Sequence, residues 1–374
     1  MKGKKRIWWR PLVFAVLFSI VFCVVSQMFI TADRSDISNI RGFYYEPKNS
    51  LDVVTMGPSE MYTGYAPTLA WHEFGYTSYN FGAGAIPCNL YKSMLKEVLK
   101  RQNPKLIVVN ISDYYDGEWN YDDEVYMRKW IDNIPWSQNK IDTIKDVIAK
   151  NDRAGYFYSL WKYHDNWANP LDVFNALKVK IYLAENGGTN NKGFLTNTTI
   201  TGGQENLAAL GKRDSLNMSF SKKTEGYLRD FLDFCKESNI ENMLFIAMPH
   251  QMKSINADVI DQIGGIVGEY GYDFMNLDKS YAQIGIDDAT DFSDGEHMNV
   301  NGMEKFTTYL GQYIVDNYDV AGSDSGYTDD IKADWDACYE KTMGIIDRCK
   351  EDMKSGIHKE YWEGDLYIGR CAML

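Results

Sequence analysis

The chain opens on an apolar run, Pro11 to Ala32, that has no charged side chain and is mostly Leu, Val, Phe and Ile. A helix rises about 1.5 Å per residue, so about 20 such residues cross a ~30 Å hydrocarbon core. No other stretch is apolar enough to do so. Beyond it, short apolar runs alternate with amphipathic ones. Leu51 to Met56 reads as a buried strand ended by Gly57-Pro58, and Thr77 to Phe81 as a second, ended by Gly82-Ala83-Gly84. Leu90, Met94, Val98 and Leu99 share a helix face in Leu90–Arg101, and Lys105 to Val109 is a β-branched strand after Pro104. The pattern returns near Phe220. Tyr227, Leu228, Phe231, Leu232 and Cys235 mark a helix, Asn242 to Met248 a strand, and Ile255, Val259, Ile263 and Val267 a helix. Asp273 to Leu277 and Met303 to Val315 add a last strand and helix.

Such alternation predicts an α/β fold with a parallel sheet covered by helices on both sides, a three-layer α/β/α arrangement. Residues 114–219 interrupt it. They are rich in Trp, Tyr, Asn and Lys and read as a helical insertion, expected to cap the site. The main domain runs over 33–320. Ala321 to Gly326 is a linker, and the tail to 374 holds one amphipathic helix through Ile331, Trp335, Cys338, Thr342, Ile345 and Cys349, expected to pack on its own domain.

Charge adds an orientation. Lys2, Lys4, Lys5, Arg6 and Arg10 precede the apolar run, and the first acid is Asp33. The positive-inside rule keeps residues 1–10 in the cytoplasm, with 11–32 as a transmembrane helix and the rest outside. Trp8 and Trp9 stand where an interfacial belt would. A cleaved signal peptide is the alternative; the long run and the lack of a small-x-small site after it favour an anchor. Without the five N-terminal cations, 34 Lys and Arg face 52 Asp and Glu, a net charge of −18. That argues against nucleic acid and against docking on anionic lipid. The six cysteines are Cys23, in the apolar run, and the scattered Cys88, Cys235, Cys338, Cys349 and Cys371, so no disulfide framework is implied. No metal-ligand spacing and no cofactor motif is present. A large core with few disulfide options fits a Gram-positive bacterial surface.

In an open parallel sheet, ligands bind beyond the carboxyl ends of the strands. The residues there are Ser59, Gly82 with Gly84, Asn110 and His250, and Asp294 and His297 lie in the loop before the last helix. A serine hydroxyl needs a base, a histidine serves best, and a carboxylate fixes the imidazole tautomer. Asp294-Gly-Glu-His297 offers both partners on one turn. Ser59 after a strand, a glycine-loop N–H and the Asn110 side chain are candidate oxyanion donors.

These blocks resemble the SGNH (GDSL-like) hydrolases. Met56-Gly-Pro-Ser59 matches their strand–Gly-x-Ser block, Asp294-Gly-Glu-His297 their Asp-x-x-His block, and Met298-Asn-Val-Asn-Gly302 their closing segment. The resemblance covers about Leu51–Ile111 and Phe220–Val320. Pro58 stands for the usual aspartate, and Val108 and Ile111 for the third-block glycine and aspartate. The second-block glycine is Gly82 or Gly84, with Gly82 preferred because it directly ends the strand. Ser59-Glu-Met-Tyr62, Tyr65-Ala-Pro67, Ser78 to Gly82 and Trp161 to Trp167 are similar to the membrane-anchored branch that works with membrane-bound O-acyltransferases. That branch includes the factors for D-alanylation of lipoteichoic acid and for exopolysaccharide acetylation. The resemblance implies a flavodoxin-like sheet, catalytic Ser59, Asp294 and His297, and oxyanion donors at Gly82 and Asn110. The implied activity is acetyl or D-alanyl transfer to a cell-envelope glycan, with a membrane O-acyltransferase as partner. A deacylating esterase and a non-catalytic glycan-binding or scaffold subunit are the alternatives.

Blander readings stand beside these. His250, and His164 with Trp167, are candidate substrate contacts, but a hydrogen-bonded structural histidine and aromatic core packing are the commoner uses of such residues. Glu60 and Glu296 flank the reactive positions, where charges are usually solvated. Tyr114 to Asp123 reads as a solvated loop.

Overall fold

A computed structural model describes residues 9–211, 213–320 and 327–362. Lys2 to Arg6, Trp8, the 321–326 linker and Cys371 lie outside them. The strands are β1 (Val53–Gly57), β2 (Ser78–Gly82), β3 (Leu106–Asn110), β4 (Thr196–Asn197), β5 (Ser215–Leu216), β6 (Met243–Ala247), β7 (Lys253–Ser254), β8 (Asp273–Asn276) and β9 (Glu360–Tyr361). Five of them form one parallel sheet in the order β2-β1-β3-β6-β8. The expected strands are present within a residue or two. β1, β3 and β6 were legible because they are buried throughout and read as near-continuous apolar runs, whereas β2 is as buried but carries Ser78 and Asn80, and the edge strand β8 is only partly buried.

The strand period of two divides the core. Val54, Met56, Phe81, Ile107, Val109 and Phe245 meet Met94, Val98, Leu228, Phe231, Ile263 and Val267 of three helices. Val53, Leu106, Val108, Leu244 and Ile246 meet Phe306, Leu310 and Ile314 of the Val300–Asn317 helix. Each fully buried aliphatic side chain contributes about 1.5–3 kcal/mol. Side-chain caps set several helix starts, two of them next to the main sheet. Ser221 accepts from the Thr224 amide, and Asn299 from the Asn301 and Gly302 amides.

The Arg10–Phe29 helix is 20 residues long with a mean hydropathy of 2.5. It is long and apolar enough to cross a membrane, a property that a signal sequence shares. Its last carbonyls are not left bare. The Lys180 ammonium donates to Gln27 O at 2.7 Å and Ile30 O at 2.8 Å, and the Asn166 amide to Phe29 O at 3.0 Å. Both donors belong to the insertion, whose helices include Glu124–Ile131, Gln138–Val147 and Pro170–Asn186.

The tail helix, Asp329–Lys354, buries Trp335, Cys338, Ile345, Ile346 and Cys349 and packs on the Pro67–Phe74 helix. After it, β9 pairs antiparallel with β4. The Tyr114–Asp123 stretch is not a solvated loop throughout. Tyr114, Tyr115 and Tyr121 are fully buried in the core, where the ring area outweighs the nearby acids.

Candidate active site

In this strand order the chain reverses direction of travel at β1, with β2 on one side and β3 on the other. That switch point is where a parallel sheet opens a crevice at its carboxyl edge. β1 ends there at Gly57, whose φ of +151° favours glycine. A Cβ on Gly57 would also lie 2.8 Å from Asn110 Cβ. Pro58 follows in an extended conformation, and Ser59 opens the short Ser59–Gly64 helix, half-buried.

The other side of the crevice comes from residues 291–299. Phe292 and Met298 form an antiparallel bridge, and the Ser293 amide donates to His297 O at 2.8 Å. The Asn299 side chain caps the next helix through its oxygen and donates to Thr199 O and Thr290 O through its nitrogen. Buried Asp291 pairs with Lys305 at 2.6 Å. This loop is therefore tied at both ends before it presents Asp294 and His297.

Ser59 Oγ lies 2.6 Å from His297 Nε2. His297 Nδ1 lies 2.9 and 3.0 Å from the two Asp294 carboxylate oxygens. Asp294 Oδ1 also accepts from the Glu296 and His297 amides, at 2.9 and 2.8 Å. Burial raises the Asp294 pKa, but the His297 hydrogen bond and charge and these amides outweigh it and hold Asp294 well below the usual carboxylate range. For His297, burial acts downward. The hydrogen bond and charge of Asp294, joined by Glu60 and Glu296, outweigh it and raise the imidazole to about 9.

The cavity beside Ser59 is about 640 Å³. Tyr62, Thr63, Ser293, Asp294 and His297 form its floor side, and Leu195 and Asn197 one wall. Asp33, Arg34 and Ser35, directly past the apolar helix, form another, and Glu360 and Trp362 of the tail complete it. Among the described residues no cluster of His, Cys, Asp and Glu could hold a metal ion.

Several expected site residues lie elsewhere. Asn110 is fully buried, its Nδ2 donating to Glu60 Oε2 at 2.9 Å and its Oδ1 accepting from the Ser112 amide at 3.0 Å. The oxygen and one amide hydrogen are committed and Asn110 does not line the cavity, so its side chain is not placed as an oxyanion donor. Gly82 sits opposite Gly57 in the ladder and does not line the cavity; a Cβ on it would fall 2.0 Å from Gly57 O. The alternative, Gly84, gives its amide to Asp36 at 2.7 Å. His250 is buried behind Glu60 rather than open to the cavity. Its ring faces Asp278 at 3.2 Å, Tyr115 OH at 3.3 Å and Glu60 at 3.6 Å. Burial lowers its pKa, and the two carboxylates more than restore it, so it is held well above the ordinary imidazole range. Glu60 is correspondingly not a solvated flank. It is buried, and His250, Asn110 and His297 overcome the burial penalty to hold its pKa down.

His164 and Trp167 are exposed and line no part of this cavity. They lie beside the end of the apolar helix, where their neighbour Asn166 is bonded. Among the described residues of the insertion, none from its helices lines the cavity, and only Leu195 and Asn197 reach it. Tyr62, Asp33–Ser35, Glu360 and Trp362 were not foreseen. Tyr62 alone stood in a quoted block, and the rest carry no periodicity or motif.

No protein-family model matches the sequence, and no curated protein matches it. Among solved structures the chain is similar to one described as a gut microbial diltiazem-metabolizing enzyme, at 11% identity and a TM-score of 0.25. The similarity covers 74% of this chain and 49% of that one, so this chain spans about half that enzyme's length. A TM-score of 0.25 transfers neither fold nor reaction.

Proposed function

We propose that this chain is a membrane-anchored serine acyltransferase of the SGNH-like type, acting outside the cell. The observation that carries the proposal is the unbroken Ser59–His297–Asp294 chain of contacts at the sheet's switch point. Ser59 Oγ attacks an acyl carbonyl, and its proton passes to His297 Nε2. Asp294 stabilises the imidazolium that forms. The leaving group takes that proton and departs, leaving an acyl ester on Ser59. An acceptor hydroxyl then attacks the ester, giving its proton to His297, and Ser59 is restored. Oxyanion donors in this reading are reduced to backbone amides, of which that of Ser59 at the first helical turn has no intrahelical acceptor.

The anchor helix with a cytoplasmic N-terminus belongs to the same proposal, as does the three-layer arrangement of that superfamily. Two apolar clusters on opposite strand faces support the latter. Residues 33–35 support the former's link to function, because they wall the Ser59 cavity directly past the helix. Acyl groups handed over at the membrane surface by a membrane-bound O-acyltransferase would enter here, and a cell-envelope glycan or teichoic acid would accept them. Water as acceptor gives the esterase reading.

A fluorophosphonate probe is expected to label the full chain at Ser59, and Ser59→Ala and His297→Ala to lower acyl turnover by on the order of 10⁴-fold or more. Absence of labelling where a control serine esterase reacts would sink the proposal. A scaffold subunit, the reading that the committed Asn110 side chain favours, expects both substitutions to leave envelope acylation in cells unchanged. Deleting the tail does not separate the two readings, since it removes Glu360 and Trp362 from the cavity wall.

A further inference from the structure

A second cavity, also about 640 Å³, lies between the apolar helix and the insertion, away from Ser59. Phe18 and Phe22 of the helix and Trp136 and Tyr158 of the insertion line it, and Arg41 and Lys180 line it where both bond Gln27. No Asp or Glu lines it. Phe18 to Gln27 extends about 14 Å along the helix and occupies the half nearer its C-terminus. If the helix spans a bilayer, as proposed above, this stretch lies in the outer leaflet, where the surrounding medium is acyl chain. Trp161 and Trp167 continue the apolar surface around the helix at 70% and 72% exposure. Exposed tryptophans at that level match an interfacial belt.

The polar end of the cleft has an excess of cation. Lys180 donates to Gln27 O and Ile30 O, using two of its three ammonium hydrogens. Arg41 Nε donates to Asn133 Oδ1 at 2.8 Å and Nη2 to Gln27 Oε1 at 3.1 Å, while Nη1 has no hydrogen-bond partner among the described residues. Neither cation is ion-paired among the described residues. Burial, and then repulsion from Arg41, push the Lys180 ammonium down to about 7. An anion arriving between them would relieve both effects.

We propose that this cleft holds an anionic phospholipid of the outer leaflet, with an acyl chain against Phe18 and Phe22 and the headgroup phosphate at Arg41 and Lys180. One lipid molecule satisfies both ends at the depths where they lie. A partner's transmembrane helix would fill the apolar end but bring no anion to the cations. The overall acidic balance of the outer domain argues against docking on anionic lipid at large. It does not bear on a single buried site with an excess of cation.

Native mass spectrometry of the full chain, offered equal phosphatidylglycerol and phosphatidylcholine of identical chains, tests this. The wild type is expected to retain phosphatidylglycerol in preference. Lys180→Met should lose about fivefold of that preference, the contribution of one juxtamembrane cation. Ser19→Trp, which fills the tail end of the cleft from an exposed helix position, should lose both lipids. Unchanged thermal unfolding of the two variants shows that the domain is intact. Equal retention of the two lipids, retention unaffected by either substitution, or a bound membrane protein in place of lipid overturns the proposal. The same spectra report the protein mass, and a mass lacking the apolar helix removes the spanning reading and this site with it.

Discussion

The proposed chemistry turns on His297, whose raised pKa has a direct consequence. A group held near 9 is mostly protonated at pH 7, with about one molecule in a hundred neutral and able to accept the Ser59 proton. Acylation of Ser59 is therefore expected to rise about tenfold per pH unit and level off near 9. Glu296 contributes to that elevation, so Glu296→Gln should move the midpoint toward neutral pH. A stopped-flow pH profile with a simple ester checks the direction; an unmoved or higher midpoint contradicts it. Glu60 makes a different point. From sequence it was a flanking charge, because nothing local indicates that His250, nearly 200 positions away, would bury beside it. Glu60→Gln leaves Asp278 as the one carboxylate beside His250 and puts an NH2 donor where one of the two carboxylate oxygens stood, beside the Asn110 amide. A loss of about 1–3 kcal/mol is expected in denaturant unfolding, and a loss near zero would show that the network is not coupled.

Among the elements, the buried strands were legible and the short helices were not. Val53–Gly57 and Met243–Ala247 announce themselves as apolar runs between turn signals. Arg34–Phe43, Ser59–Gly64 and Pro67–Phe74 are at most 10 residues, too short for a periodic pattern to stand out from loop. The two-residue pairing of β4 with β9 depends wholly on tertiary contact. The reactive pair Asp294 and His297 was readable as a motif, but what fixes its loop is the Asn299 cap. Asn299→Ala should cost about 0.5–2 kcal/mol of stability. Because Asn299 also holds the loop, Ser59 labelling should slow by more than that stability loss accounts for under fully folded conditions. Equal labelling rates would mean that the loop is held by the Phe292–Met298 bridge and Asp291 instead.

For the whole molecule, three distant segments meet at Ser59: the residues just past the apolar helix, the end of the insertion and the tail. The insertion was expected at the site, though through its helices rather than Leu195 and Asn197; the other two meetings were not legible, since they are decided by where the domain folds back on its own termini. Trp362 is the clearest case, a wall residue beyond the last helix and outside every motif. Trp362 is also buried against Ile37, Val179 and Tyr182, so Trp362→Ala should cost about 3–5 kcal/mol in unfolding and, where the protein is still folded, raise KM for bulky acyl esters more than for acetyl esters. An equal change for both would place Trp362 outside substrate contact. The proposed function stands on Ser59 as a nucleophile activated by His297. Intact-mass analysis of the full chain after exposure to p-nitrophenyl acetate measures that most directly. A single acetyl adduct on Ser59 is expected in the wild type and none in Ser59→Ala. No adduct in the wild type, or the same adduct in Ser59→Ala, would contradict it.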